Sequence, residues 1–271
     1  INQGREGRLE FLQRDRGGWQ GAIGGQFFIR DLNIVGAEKF LPEANTTQFG
    51  VFTVQSLDLG AVRAEAGGRI ESTRQTAKAD SDLGTPDYRR SYTAYSGSLG
   101  ANYELAEHWR VGINASYTQR APSAEELFAN GPHAGTQAFE VGDPFLSKEK
   151  SKGLELLLRG KGGRFNVTAS LYHSWFTGFI YETATGMIED DLPIFQISQG
   201  NARHFGAEIE ASFDVAQIGD YAISLDGVGD YSRAKLTGSA GNLPRIPALR
   251  LLGGLQAKSD PVTARIETEW V

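Results

Sequence analysis

Apolar and polar side chains alternate with a period of two along most of the chain. Between 109 and 117 the odd positions are Trp109, Val111, Ile113, Ala115 and Tyr117, and the even ones Arg110, Gly112, Asn114 and Ser116. From 165 to 175 the odd positions run Phe165, Val167, Ala169, Leu171, His173 and Trp175, against Asn166, Thr168, Ser170, Tyr172 and Ser174. From 205 to 213 Phe205, Ala207, Ile209, Ala211 and Phe213 oppose Gly206, Glu208, Glu210 and Ser212. Successive side chains of an extended backbone point to opposite faces, so this pattern predicts strands with one apolar and one polar face. Similar runs occur at 19–29, 62–70, 95–103, 154–158, 221–231, 249–257 and 262–270, with less regular ones near 9–11 and 49–57. Together they predict about twelve strands.

Alternation alone also fits a soluble sandwich with one wet face. Three features favour an all-β, antiparallel transmembrane β-barrel instead. Aromatics bracket the apolar face: Trp109 with Tyr117, Tyr95 with Tyr103, Phe205 with Phe213, Trp19 with Phe27. Eight residues at ~3.3 Å each, on a strand tilted by ~40°, cover roughly 20 Å, close to the apolar band of an outer-membrane barrel between its aromatic girdles. The middle of the apolar face is small and aliphatic, whereas a sandwich core needs bulk to reach close packing. The connections alternate in length: tight turns near 14–18, 57–60, 105–107, 160–163, 216–220 and 258–261, and longer polar segments near 31–47, 74–89, 120–150, 182–194 and 237–246. Short turns at one end and long loops at the other are the layout of a bacterial outer-membrane barrel.

The polar face adds a size argument. Arg63, Glu65, Arg69 and Glu71 share one strand face, as do Arg265, Glu267 and Glu269. Each alone fits a solvated surface, but together they suit a wide lumen holding water or a plug, because a dry narrow interior would demand complete pairing. The formal net charge of −6 argues against a nucleic-acid partner. The chain has no cysteine, which removes disulfides and thiolate metal sites. No run of about 20 apolar residues is present, so no transmembrane helix is expected. The chain starts without a charged-then-apolar leader, so any signal peptide lies upstream or has been removed. Its last segment, VTARIETEWV, still alternates when it stops. An open sheet would leave two unpaired edges in lipid, so the chain is expected to be a contiguous piece of a larger barrel.

Catalytic chemistry finds no foothold. There is no Gly-x-Ser-x-Gly, no phosphate loop and no cysteine nucleophile. Glu125–Glu126 and Asp190–Asp191 are neighbours in predicted loops, which does not set two carboxylates across a cleft. No enzyme is expected.

The stretch YTQRAPSAEELFANGPHAGTQAFEVGDPFLSKEKSKGLELLLRG resembles the mid-barrel signature of TonB-dependent outer-membrane receptors. The matching positions are Arg120, Ala121, Pro122 and Ser123, then Glu126, Leu127 and Phe128, followed by Gly131, Pro132, His133, Phe139, Glu140, Gly142, Pro144, Leu146, Glu149 and Ser151. Downstream, LYHSWFTGFIY at 171–181, QGNARHFGAEIEASF at 199–213 and the Leu-Pro-x-x-Pro step of LPRIPALRLLGGL at 243–255 resemble further strands of that family, in the same order. The resemblance covers about residues 92 to 271 in register; the first ninety residues fit by pattern only.

The resemblance implies a barrel of about 22 strands with a plugged lumen, of which residues 1–271 form part of the barrel domain. The plug, the N-terminal coupling segment and the closing C-terminal strands are not recognised in the chain. It implies import of a scarce small-molecule or metal ligand across the outer membrane, in contact with its lipid and driven by a TonB-type energy-coupling protein. The Ala-Asn-Gly-Pro-His loop is most similar to the zinc- or haem-linked branch; zinc, haem, an iron-siderophore or a vitamin is the expected cargo, with no resident cofactor. Imidazole and carboxylate suit zinc, and histidine also ligates haem iron. His133, Glu140 and Asp143 lie in one predicted loop and Asp190 and Asp191 in another, making these the candidate ligand-binding residues, with His133 the candidate metal ligand. They have no fixed metal-site spacing, and a lone loop histidine also fits plain solvation. Pro122, Gly131 and Pro132 suit a structural role in turning the loop. His173 is expected at the membrane interface beside Trp175, His204 at the rim and His108 beside a tight turn. A passive porin would share the alternation and girdles but lack the ordered motifs; a soluble all-β binding module is a further alternative.

Overall fold

A computed structural model describes residues 1–271 apart from 37–38, 239–240 and 244–245. Pro244 and Arg245 of the Leu-Pro-x-x-Pro step therefore lie outside the described residues, as do parts of the predicted 31–47 and 237–246 segments.

Among the described residues twelve strands form one antiparallel meander. They are β1 (Asn2–Arg16), β2 (Trp19–Leu32), β3 (Ala44–Asp58), β4 (Val62–Ala77), β5 (Tyr88–Ala106) and β6 (Trp109–Arg120). After an insert come β9 (Glu149–Lys161), β10 (Phe165–Glu189), β11 (Leu192–Ile218), β12 (Tyr221–Leu236), β13 (Arg250–Lys258) and β14 (Thr263–Trp270). Each strand pairs with the next along this path, β6 pairing with β9 across the insert, and β1 and β14 are the two edges. The insert carries α1 (Ala124–Phe128) and a small hairpin, β7 (Asn130–His133) and β8 (Ala138–Val141). β8 then runs parallel to β11, with Phe139 opposite Ile194 and Val141 opposite Gln196.

The two faces separate as the period-two pattern predicts. Trp19, Ile23, Phe27, Phe49, Leu99, Ile113, Leu156, Leu171, Ile209 and Leu255 project outward and are exposed. Glu6, Arg8, Arg69, Glu71, Glu155, Asp226, Arg265 and Glu267 point the other way. Several pair along or across strands, such as Arg265 with Asp226 and Glu267. The irregular runs near 9–11 and 49–57 are full strands, β1 and β3.

One expected long loop, 182–194, is not a loop. β10 and β11 stay paired as far as Glu189 opposite Leu192, and the connection is the two-residue turn Asp190–Asp191. Both turn residues have positive φ, 49° and 61°, as a hairpin turn that follows the strand twist requires. Beyond the aromatic rim this hairpin has no lipid on one side, so its residues (ETATGMIE) carry no apolar alternation for sequence reading to detect.

The buried core sits at the long-connection end of the sheet. Leu32, Leu41, Ala44, Ala77, Tyr92, Leu127, Phe128, Leu146, Ile180 and Ile197 form one cluster, in which the insert packs on the inner wall. A smaller cluster of Ala202, Ala234 and Leu243, flanked by Phe176, Phe179 and Leu236, lies against β11 and β12. Burial of a side chain such as Phe128 or Leu127 stabilises the insert by about 1.5–3 kcal/mol each.

Candidate ligand-binding site

The insert is held by its own opening residues. Ser123 is the N-cap of α1: its hydroxyl accepts from the Glu126 amide at 3.1 Å, and the Glu126 carboxylate accepts from the Ser123 amide at 2.7 Å, a complete capping box. The same carboxylate takes two hydrogen bonds from the Arg120 guanidinium, at 2.8 and 2.9 Å. Arg120 reaches the Glu149 carboxylate as well, at 3.1 and 3.2 Å, so it joins the last residue of β6, the helix and the first residue of β9. Glu149 in turn accepts from the Ile180 amide on β10 at 2.9 Å. The Pro122 carbonyl accepts from the buried Gln75 side chain on β4, and Glu125 pairs with Arg30 of β2 at 2.7 Å. Leu127 and Phe128 are buried beneath. The motif positions Arg120, Pro122, Ser123, Glu126, Leu127 and Phe128, together with Glu125, thus fasten the insert to β2, β4 and β9.

That fastening positions the β7–β8 hairpin. His133 ends β7, and Glu140 lies on β8, where it is only 9% exposed. The Nδ1 of His133 lies 2.9 Å from Glu140 Oε1, which also accepts from the Thr136 hydroxyl at 2.7 Å. The imidazole is stacked on Phe40 at 4.0 Å between centroids. His133 and Glu140 are therefore brought together. Asp143 serves the backbone: its carboxylate accepts from the Phe145 amide at 2.8 Å. Asp190 and Asp191 are exposed at the tip of the β10–β11 hairpin. Among the described residues no cluster of three or more His, Asp or Glu is placed to hold a metal ion.

A cavity of about 350 Å³ opens on the inner side of β10, β11 and β12, lined chiefly by Phe176, Phe179, Tyr181, His204, Leu243 and Ile246. Phe176 and Phe179 belong on opposite faces by strict alternation. Both line the cavity because the β10–β11 register shifts between them, around Gly178 at φ 66°. A glycine inside an otherwise alternating aromatic run was the sequence signal for this cavity. His204 is held by Ser232 at 2.7 Å. His173 stacks on Trp175 at 4.1 Å on the outer face.

Comparison with known proteins follows the same fold. A family profile described as "TonB dependent receptor-like, beta-barrel" matches residues 2–256. The chain belongs to the TonB-dependent receptor family. This is a family of transport rather than of catalysis, and it places the chain in the bacterial outer membrane. The hemoglobin-haptoglobin utilization protein B of Neisseria meningitidis serogroup A / serotype 4A is 27% identical over 137 residues, covering 48% of this chain and 17% of that protein. The copper transporter OprC superposes with a TM-score of 0.82 at 19% identity, over 98% of this chain and 42% of its own. A double mutant of the Serratia marcescens hemophore receptor HasR, in complex with its hemophore HasA and heme, gives 0.74 at 13% identity, over 99% and 51%. At these identities the structures establish a shared fold. The chain spans less than half of OprC and under a fifth of the curated relative.

Proposed function

We propose that residues 1–271 form part of the wall of a plugged barrel of about 22 strands, which imports a scarce ligand using energy delivered by a TonB-type partner. Within that reading the cargo is a metal already held in an organic chelate, haem first, and His133 is the residue that meets it. The observation that carries this is the His133–Glu140 contact. A ligating histidine ordinarily donates its second ring nitrogen to a carboxylate, which fixes the ring and raises its basicity. With Nδ1 engaged by Glu140 at 2.9 Å, Nε2 is left to coordinate.

One histidine does not make a zinc site, which takes three or four protein ligands. One histidine would suffice for haem iron, because the porphyrin itself supplies the remaining protein-independent ligands. The similarity to a hemoglobin-haptoglobin utilization protein of Neisseria supports the same direction. Asp190 and Asp191 stay at the hairpin tip, facing the incoming ligand rather than the bound one, and Asp143 shapes the turn after β8.

The test is a haem titration of the full-length receptor in detergent, followed in the Soret band, beside zinc calorimetry. Tight haem binding that weakens at least tenfold in His133→Ala is the expected result. Haem binding indifferent to His133, or stoichiometric tight zinc binding, overturns it.

A further inference from the structure

The outer face carries a second feature that the import reading does not use. Register pairing aligns Tyr117 on β6, Lys152 on β9, Trp175 on β10, Arg203 on β11 and Lys235 on β12 in one lateral row. One step toward the membrane centre the row reads Ala115, Leu154, His173, Phe205 and Arg233. Cations and aromatics thus interleave along the rim from which the long connections leave. At the opposite rim the outward positions Trp19, Tyr103, Trp109 and Tyr221 are aromatic, and Arg16, paired with Trp19, stands beside them without forming such a row.

Lys152, Arg203, Arg233 and Lys235 are exposed, and among the described residues none of them enters an ion pair, in contrast to the arginines of the inner wall. The outward positions at this level on β5 to β12, including Thr93, Gln119 and Lys150, contain no carboxylate. Arg203, Arg233 and Lys235 border one open cavity of about 370 Å³, whose apolar side is His173, Phe205 and Leu236.

We infer that this cavity and its row of cations bind a phosphorylated lipid headgroup of the outer leaflet. Three unpaired cations around a hollow supply the charge, and long Arg and Lys stems can lie along apolar wall while their heads reach the headgroup layer. Phe205 and His173 floor the same hollow, so acyl chains run down an aromatic surface while the phosphate stays at the rim. A soluble anion would gain nothing from that apolar side, and the location on the lipid-facing side of the girdle commits the occupant to a lipid.

Native mass spectrometry of the full-length receptor in a non-ionic detergent tests this, with added cardiolipin (two phosphates), phosphatidylcholine or inorganic pyrophosphate. Cardiolipin is expected to be retained at least tenfold better than phosphatidylcholine and not to be displaced by millimolar pyrophosphate. Each cation removed, in Arg203→Gln, Arg233→Gln and Lys235→Gln, should lower retention by about fivefold. The inner-wall control Arg110→Gln should leave it unchanged, and heat-modifiable gel mobility confirms that each variant is folded. Equal retention of the two lipids by the unmodified receptor overturns the inference without needing any variant. So does retention that survives the loss of all three cations in a folded protein, and displacement by pyrophosphate overturns the choice of a lipid.

Discussion

Arg120 and Glu126 form a two-pronged ion pair, at 2.8 and 2.9 Å, although the chain between them turns from a strand into a helix. The pair sits at the corner where β6 stops following the wall, and Glu149 closes it from the strand that resumes the meander. Replacing Arg120 by methionine leaves two carboxylates facing each other without a cation. The expected cost is about 2 kcal/mol, toward the lower end for a charged network because Arg120 is 41% exposed. Urea unfolding of the refolded receptor in detergent should show the loss, and Arg120→Lys should recover only part of it, since an ammonium cannot bridge both carboxylates in the same planar geometry. An unfolding midpoint unmoved by Arg120→Met would remove the latch from the account.

This corner shows what the sequence could and could not reveal. The strands were legible wherever lipid lay on one side and a wet lumen on the other, because that contrast writes a period of two into positions such as 109–117 and 205–213. The β10–β11 extension past the rim, with Thr183, Thr185 and Glu189 wet on their exposed faces, carries no such contrast and read as a loop. The Arg120-Ala-Pro-Ser-x-x-Glu spacing was visible as a motif. The capping box and the Arg120–Glu126 pair are local to it, but the tie to the resuming wall runs through Glu149, more than twenty positions on, which no local pattern links to it. Similarly, His133 and Glu140 were both candidates, but their contact arises from hairpin register, and Phe40 beneath the ring comes from a segment with no evident signal.

Glu140→Gln tests whether the carboxylate positions the imidazole. The neutral amide keeps the size of the side chain but no longer favours a proton on Nδ1. Haem affinity should fall by about tenfold or more, the usual penalty for losing such a partner, with a shift in the Soret maximum. A purely structural Glu140 would instead change the melting temperature and leave the spectrum of bound haem as before.

Gly142 predicts a steric effect at the exit from β8. A Cβ there would lie 2.8 Å from the Leu127 carbonyl carbon and 2.9 Å from both the Glu126 oxygen and the Phe128 nitrogen, all backbone atoms of α1. No rotamer relieves such contacts, so Gly142→Ala should cost about 1–3 kcal/mol. Gly163→Ala, in a turn with open space around it, is the control and should be close to neutral. Comparison of the two unfolding midpoints checks the point.

Lys39 and Asp80 give the connection between β4 and β5 a pH dependence. The hydrogen bond from the Lys39 ammonium holds the Asp80 carboxyl below its ordinary value of 3.8, against a smaller opposing effect of burial, while the Leu83 amide adds to the lowering. A carboxyl depressed in the folded state contributes stability that is complete above its ordinary pKa and disappears as pH falls through the folded value. Amide exchange at Asp82, Leu83 and Thr85, whose bonds converge on Asp80, should therefore accelerate only below about pH 4. Lys39→Met should move that onset upward; exchange that quickens steadily from neutral pH would point to a different group.

Asp190 and Asp191 separate two roles that the sequence alone had merged. Both lie in the left-handed region, with φ of 49° and 61°, which Asp tolerates but Asn and especially Gly adopt at lower cost. The pair therefore invites a substitution that removes charge and relieves strain at once: Asp190→Asn with Asp191→Gly. Relief of the turn should stabilise the hairpin by up to about 1 kcal/mol, read as slower amide exchange in the outer parts of β10 and β11. On the proposal that the tip meets only the incoming ligand, the equilibrium affinity for haem should stay within about twofold, while its association rate becomes less sensitive to salt as two charges are removed. A large loss of equilibrium affinity would instead put one of these carboxylates in contact with bound cargo and move the centre of the site from His133 to the hairpin tip.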